Sequence, residues 1–163
     1  VDVIKNKDEE FIVNALRLIE PNIKDFVLSK NEVLVDIGLD KRIPINMMGD
    51  GARKFLSILT SIYECKNGIV LIDELSIGFH YSVMKGVWTS IVSVAKKNNV
   101  QIFATTHDLD SIKGLRDAAM SCEEYNNSIV CFKLHRTDNS ELKSYQYSLD
   151  SVDYSLNQEI EIR

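Results

Sequence analysis

Two short apolar runs end in residues that can hold a divalent cation or move a proton. Ile69 to Ile72 leads into Asp73 and Glu74, and Val100 to Ala104 leads into Thr105, Thr106, His107 and Asp108. Adjacent carboxylates point different ways. One can therefore hold magnesium, directly or through a water, while the other orients and polarises an attacking water. A histidine at the second strand end can donate a hydrogen bond to a γ-phosphate. A third stretch, Met48-Gly49-Asp50-Gly51-Ala52-Arg53, opens a helical pattern. Its glycines let backbone approach a phosphate, and N–H groups at a helix start attract anions. Each feature also has a plain structural reading. Acidic pairs occur at helix starts, His107 alone suits a structural role, Asp108 suits a helix cap, and Gly-Asp-Gly suits an ordinary turn. The combination favours chemistry: a strand ending in Asp-Glu, one crossover, then a strand ending in Thr-Thr-His.

The elements that must position these groups follow from periodicity. Asn6 and Glu9 open a predicted helix, with Phe11, Ile12, Ala15, Leu16 and Ile19 on one face and Pro21 as its stop. FVLSKNEVLVDIG reads as a hairpin turning at Ser-Lys-Asn, and Pro44 falls in the next connection. Phe55, Leu59 and Ile62 recur at helical spacing after the glycine turn, and Gly68 closes that segment. Ile69–Ile72 and Val100–Thr105 read as strands buried on both faces. Between them Val83, Val87, Ile91 and Val94 form one stripe of a helix over 81–97, with Lys96 and Lys97 at its negative end. Strand, helix, strand implies a right-handed parallel crossover. Asp108 caps a further helix over 109–120. Two strand-like runs around Thr137-Asp138-Asn139-Ser140 and a short helix over 150–157 complete one α/β domain spanning 1–163.

With 163 residues, 45% hydrophobic and 26% charged, the chain suits a single folded domain. Its net charge of -5 argues against a broad basic surface for nucleic acid, though not against a local patch. Cys65, Cys122 and Cys131 lack metal-ligand spacing and offer no disulfide framework. No apolar run approaches the ~20 residues that a membrane helix needs. The acidic start also lacks a signal peptide. These features together lead to the expectation of a cytoplasmic protein without a membrane partner.

Met48-Gly49-Asp50-Gly51, then LIDEL with Gly78-Phe79-His80, then ATTHD resemble, in that order, the C-terminal lobe of ABC-type ATPases. The resemblance extends to the stand-alone bacterial AAA-type ATPases related to the OLD (overcoming lysogenization defect) family and to the SMC/RecF-like group. It implies a P-loop NTPase-like fold, with a mostly parallel sheet flanked by helices and a C-terminal β-hairpin. It also implies ATP and Mg2+ as cofactors and a homodimer that sandwiches the nucleotide. Asp73 corresponds to the Walker B aspartate that assists magnesium, and Glu74 to the catalytic glutamate. His107 corresponds to the switch histidine. Gly49, Asp50 and Gly51 fall on the signature loop, which in that family contacts nucleotide on the opposite protomer. Gly78 and His80 fall on the D-loop. Relatives suggest DNA transactions or phage defence, so DNA is a candidate partner.

A P-loop needs Gly-x-x-x-x-Gly-Lys-Ser/Thr, yet none of the seven glycines here is followed by lysine. The Walker A motif is therefore expected on an N-terminal lobe, either in missing sequence or on a separate chain. The start at Val1 favours a C-terminal fragment over a split gene or a degenerate lobe. The isolated chain is then expected to bind ATP weakly and to be inactive. Two further readings stand beside this one. Glu74 with Asp108-Leu109-Asp110 resembles a TOPRIM-type metal nuclease, but Leu75 follows the glutamate where that motif has Gly. The chain could also be a non-enzymatic dimerisation module built on the Gly49–Arg53 and His80 loops.

Overall fold

Ile12, Leu16, Phe55, Leu59, Val87 and Ile91 meet in one apolar interior. A computed structural model describes residues 9–29, 32–122, 128–137 and 140–158. Helix α1, Glu9–Leu16, buries Ile12, Val13, Ala15 and Leu16; Phe11 and Ile19 of the expected face are half-buried, and the helix ends before the expected stop at Pro21. Asn6, the expected opening of that helix, lies outside the described residues.

Strands β1 (Asp25–Leu28) and β2 (Val33–Asp36) pair antiparallel, with Phe26 opposite Val35, which is the expected hairpin. Pro44, placed in a connection by its residue type, instead lies in a two-residue strand β3, Ile43–Pro44, opposite Leu34. β3 is an edge strand, where the missing proline N–H costs no ladder bond. A 3-10 turn, Ile45–Met48, then leads through Gly49 into α2, Asp50–Glu64. Gly49 has φ +88, a region L side chains rarely adopt. Gly51, expected in the turn, is in the first turn of the helix itself.

Strand β4 (Ile69–Ile72), helix α3 (Met84–Asn98) and strand β5 (Gln101–Ala104) form the expected parallel unit, with Ile72 opposite Ala104. A 3-10 turn, Tyr81–Val83, precedes α3. Val87, Ile91 and Val94 are buried on α3, and Asn99 ends it in the left-handed conformation. Trp88 is packing: its Nε1 donates to the Ser111 carbonyl at 2.9 Å inside the core. Helix α4, Leu109–Met120, starts where expected, with the Asp108 side chain accepting from the Asp110 N–H at 3.0 Å. Strands β6 (Cys131–Arg136) and β7 (Leu142–Tyr147) pair antiparallel, and α5 (Leu149–Asn157) follows. His135 is exposed on β6. Among the described residues no helix is long and apolar enough to cross a membrane.

One expectation fails instructively. β4 and β5 are not buried on both faces. Val70 and Ile72 point into the core, whereas Leu71 is 77% exposed, Ile69 56% and Phe103 54%. Helices α2 and α3 contribute to the core on the buried side, and Ile69, Leu71 and Phe103 on the other side are exposed among the described residues. The uncovered face opens into a cleft of about 1840 Å³ lined also by β6 and α4. Small-molecule pockets run to roughly 300–1,000 Å³. This cleft is larger, and its lining mixes apolar residues such as Leu71 and Phe103 with polar ones such as Thr105, His107 and Lys133.

Candidate active site

Parallel pairing in register carries the ends of β4 and β5 to the same edge, so the residues after Ile72 and Ala104 become neighbours. Past the last paired residues, the Thr105 N–H donates to the Ile72 carbonyl at 2.9 Å, and the Leu75 N–H donates to the Thr105 carbonyl at 2.9 Å. The Thr105 hydroxyl bridges the acidic pair. It donates to Asp73 Oδ1 at 2.6 Å and accepts from the Glu74 N–H at 2.9 Å. Oδ2 is then the Asp73 oxygen left for another partner.

Glu74 turns back across the strand tips. Its φ of +49 places it in the left-handed region, which costs a non-glycine residue about 1 kcal/mol. This turn sets Glu74 Oε2 2.7 Å from His107 Nδ1. The imidazole is 75% exposed. Oε2, by contrast, is shut off from solvent and makes no aligned hydrogen bond. The contact with His107 is therefore an approach at ion-pair distance, with the carboxylate oxygen not yet satisfied by a donor.

The turn is also held from α2. Lys54 Nζ donates to the Glu74 carbonyl at 2.6 Å and to the Ile77 carbonyl at 3.3 Å. Burial lowers the Lys54 pKa, while the charges of Glu74 and then Asp73 act to raise it. Further along the turn, the Ser76 and Thr106 hydroxyls are 3.1 Å apart, and Thr106 Oγ1 accepts from the Asp108 N–H. Gly78 has φ +89 and packs on Gly51: a Cβ at Gly51 would stand 2.4 Å from the Gly78 carbonyl oxygen. His80 Nδ1 lies 2.8 Å from Ser82 Oγ, and its ring rests 4.3 Å from that of Tyr81.

Asp73, Glu74 and His107 are thus brought together. Gly49, Asp50 and Gly51 are not part of that cluster. They form the α2 start, where Asp50 pairs with Arg53 at 3.2 Å and Gly51 abuts Gly78. The nuclease-type grouping of Glu74 with Asp108 and Asp110 is absent. Asp108 is engaged as a cap, and Asp110 pairs with Lys113 at 3.4 Å. Among the described residues no group of three or more His, Cys, Asp or Glu side chains could hold a metal ion. The donor that a cation would find here is Asp73 Oδ2, and magnesium can be held by one carboxylate where phosphate and water complete its shell. Lys54 and the bridging hydroxyl of Thr105 carry no role in the sequence reading. A lysine reaching a main-chain carbonyl twenty positions away leaves no pattern, and Thr105 is visible only as a polar residue at a strand end.

The family described as AAA ATPase domain matches residues 2–111. The chain is 25% identical over 159 residues to an ATP/GTP phosphatase of Helicobacter pylori, covering 94% of this chain and 43% of that protein. It is 35% identical over 107 residues to an uncharacterized protein of Methanocaldococcus jannaschii, covering 64% of this chain and 89% of that protein. The chain therefore spans less than half the length of the Helicobacter relative. Among solved structures, a chain from a study of ATP-driven dimerization and DNA-stimulated activation of SMC ATPases superposes with a TM-score of 0.57. Its identity is 14%, and the match covers 100% of this chain and 99% of that one. An SMC head bound to the C-terminal winged-helix domain of ScpA gives a TM-score of 0.60 at 13% identity, covering 90% of this chain and 44% of that one. These two likenesses establish the fold as that of SMC ATPase heads. With the family match spanning most of the chain and the Asp-Glu and His strand tips in place, the chain belongs to the AAA ATPase domain family.

Proposed function

We propose that this chain is the C-terminal lobe of an ATPase that hydrolyses ATP at the tips of β4 and β5. The observation that carries the reading is the convergence of Glu74 and His107 to 2.7 Å, with Asp73 beside them under the Thr105 hydroxyl. In the bound state Glu74 orients a water in line with the γ-phosphate and accepts its proton. The water oxygen bonds to the γ-phosphorus as the bond to the β–γ bridging oxygen breaks, giving ADP and phosphate. His107 donates a hydrogen bond to a γ-phosphate oxygen. Its Nδ1 faces Glu74, so Nε2 is the ring atom that serves this role. Asp73 would hold magnesium through Oδ2, and the ion when bound would neutralise charge developing on the phosphate oxygens.

The nucleotide cradle comes from an N-terminal lobe carrying Walker A. Three facts support that partner. No glycine here precedes a lysine, the chain spans 43% of its Helicobacter relative, and the apolar face of β4 and β5 lies open. An exposed contiguous apolar face of this kind marks a protein contact. Gly49, Asp50 and Gly51 stand apart from the Asp73 cluster, as a loop that completes the opposite site of a homodimer would. With Asp50 facing Arg53, backbone N–H groups at the α2 start make that contact. A cytoplasmic role in DNA transactions or phage defence, as in OLD-type relatives, extends this reading.

The test is magnesium-dependent phosphate release by the full-length protein, run beside plasmid nicking with magnesium or manganese. ATP turnover without nicking is expected. Nicking that is lost in Asp110→Ala and kept in His107→Ala, with no ATP turnover, would replace this reading with the nuclease.

A further inference from the structure

Both polar groups of the Glu74 backbone are held from outside the turn. Its N–H meets the Thr105 hydroxyl at 2.9 Å, and its carbonyl meets Lys54 Nζ at 2.6 Å. A left-handed residue with a side chain persists where its surroundings over-determine it. Thr105 supplies the anchor on the strand side, and Lys54 supplies the one on the helix side. Lys54 also reaches the Ile77 carbonyl at 3.3 Å, so one ammonium spans the turn from its first residue to its fourth. Three positions back on α2, on the same helical face, Gly51 abuts Gly78. Helix α2 therefore touches both ends of the 74–78 turn.

We propose that Lys54 is a positioning residue: by fixing the Glu74 backbone from α2, it sets the reach of the Glu74 carboxylate and ties it to the start of α2 at Gly49–Gly51. The proposal rests on the reading of Glu74 as the water-orienting group. An ammonium on a carbonyl is a charge-assisted bond and is stronger than a neutral one. Methionine matches the length of lysine and has no donor. Arginine keeps the charge, and its fork can reach both carbonyls.

The test uses the full-length protein with Lys54→Met, Lys54→Arg, Glu74→Gln and the Lys54→Met/Glu74→Gln pair. It measures steady-state ATP turnover and the affinity for a fluorescent ATP analogue. Lys54→Met is expected to lower kcat about 10-fold or more, with KM and analogue affinity within about 2-fold, because the loss is confined to the transition state. Lys54→Arg is expected to recover most of the loss. In the Glu74→Gln background, Lys54→Met is expected to subtract little more, since the two residues act as a unit. Wild-type kcat in Lys54→Met, an equal fold-loss in the Glu74→Gln background, or failure of Lys54→Arg to recover each overturns the proposal. Circular dichroism checks the fold of each variant. If Lys54→Met does not fold, Lys54→Gln takes its place with the same expected split, and wild-type kcat there overturns the proposal. If Glu74→Gln itself turns over at the wild-type rate, the reading of Glu74 fails instead, and that outcome is distinguishable from failure of Lys54 alone.

Discussion

Glu74 Oε2 lies 2.7 Å from His107 Nδ1, although the two residues come from different strand ends separated by the whole of α3. A parallel pair in register brings them together, and the left-handed turn at Glu74 aims the carboxylate across the gap. The acid and the imidazole form one unit, with Glu74 Oε2 shut off from solvent and the imidazole open to it.

That unit predicts the behaviour of His107→Ala. Loss of a preorganised donor to a developing phosphate charge typically lowers turnover about 100-fold. The full-length variant should show a fall of this order in kcat, with affinity for a fluorescent ATP analogue nearly intact. Unchanged kcat would remove His107 from the site.

Thr105 links Asp73 Oδ1 to the Glu74 N–H through one hydroxyl. Thr105→Val keeps the side-chain shape and removes both bonds, so kcat should fall. Thr105→Ser should restore it. The stability loss should stay near 1 kcal/mol, because the site is exposed and water can replace the hydroxyl. Denaturant midpoints and turnover measured on the same three proteins check both statements. Equal turnover in Thr105→Val and wild type would show that the bridge is not needed.

Gly51 and Gly49 make contrasting demands. At Gly51 an added Cβ collides with the Gly78 carbonyl oxygen at 2.4 Å, and that oxygen belongs to backbone. At Gly49 the space is open, and only φ of +88 resists a side chain. Gly51→Ala should cost about 1–3 kcal/mol and displace the 74–78 turn. Gly49→Ala should cost nearer 1 kcal/mol. Urea unfolding with matched m-values orders the two. A smaller loss at Gly51 than at Gly49 would mean the contact yields easily.

Much of the fold was legible in particular residues. Asp108 announced the start of α4, the two β-like runs 26–28 and 33–36 announced the β1–β2 pair (Lys30 and Asn31 of the expected turn lie outside the described residues), and the apolar runs before Asp73 and Thr105 located the parallel pair. That parallel pairing makes the residues after the two strands neighbours, but the left-handed turn that aims Glu74 at His107 left no mark in the sequence. The open face did not show. Ile69, Leu71 and Phe103 read as interior because an apolar run carries no mark of which chain covers it. Pro44 misled because a proline tolerated at a sheet edge looks like one in a loop. Lys54 was invisible because its partners are main-chain carbonyls, which every residue possesses.

The most direct measurement is ATP binding and hydrolysis by full-length Glu74→Gln. If Glu74 orients and deprotonates the attacking water, the variant should bind Mg-ATP as the wild type does. Its hydrolysis should be slower by about 10²–10⁴-fold, the usual contribution of a positioned base. Hydrolysis at the wild-type rate, with binding unchanged, would contradict the account at its centre.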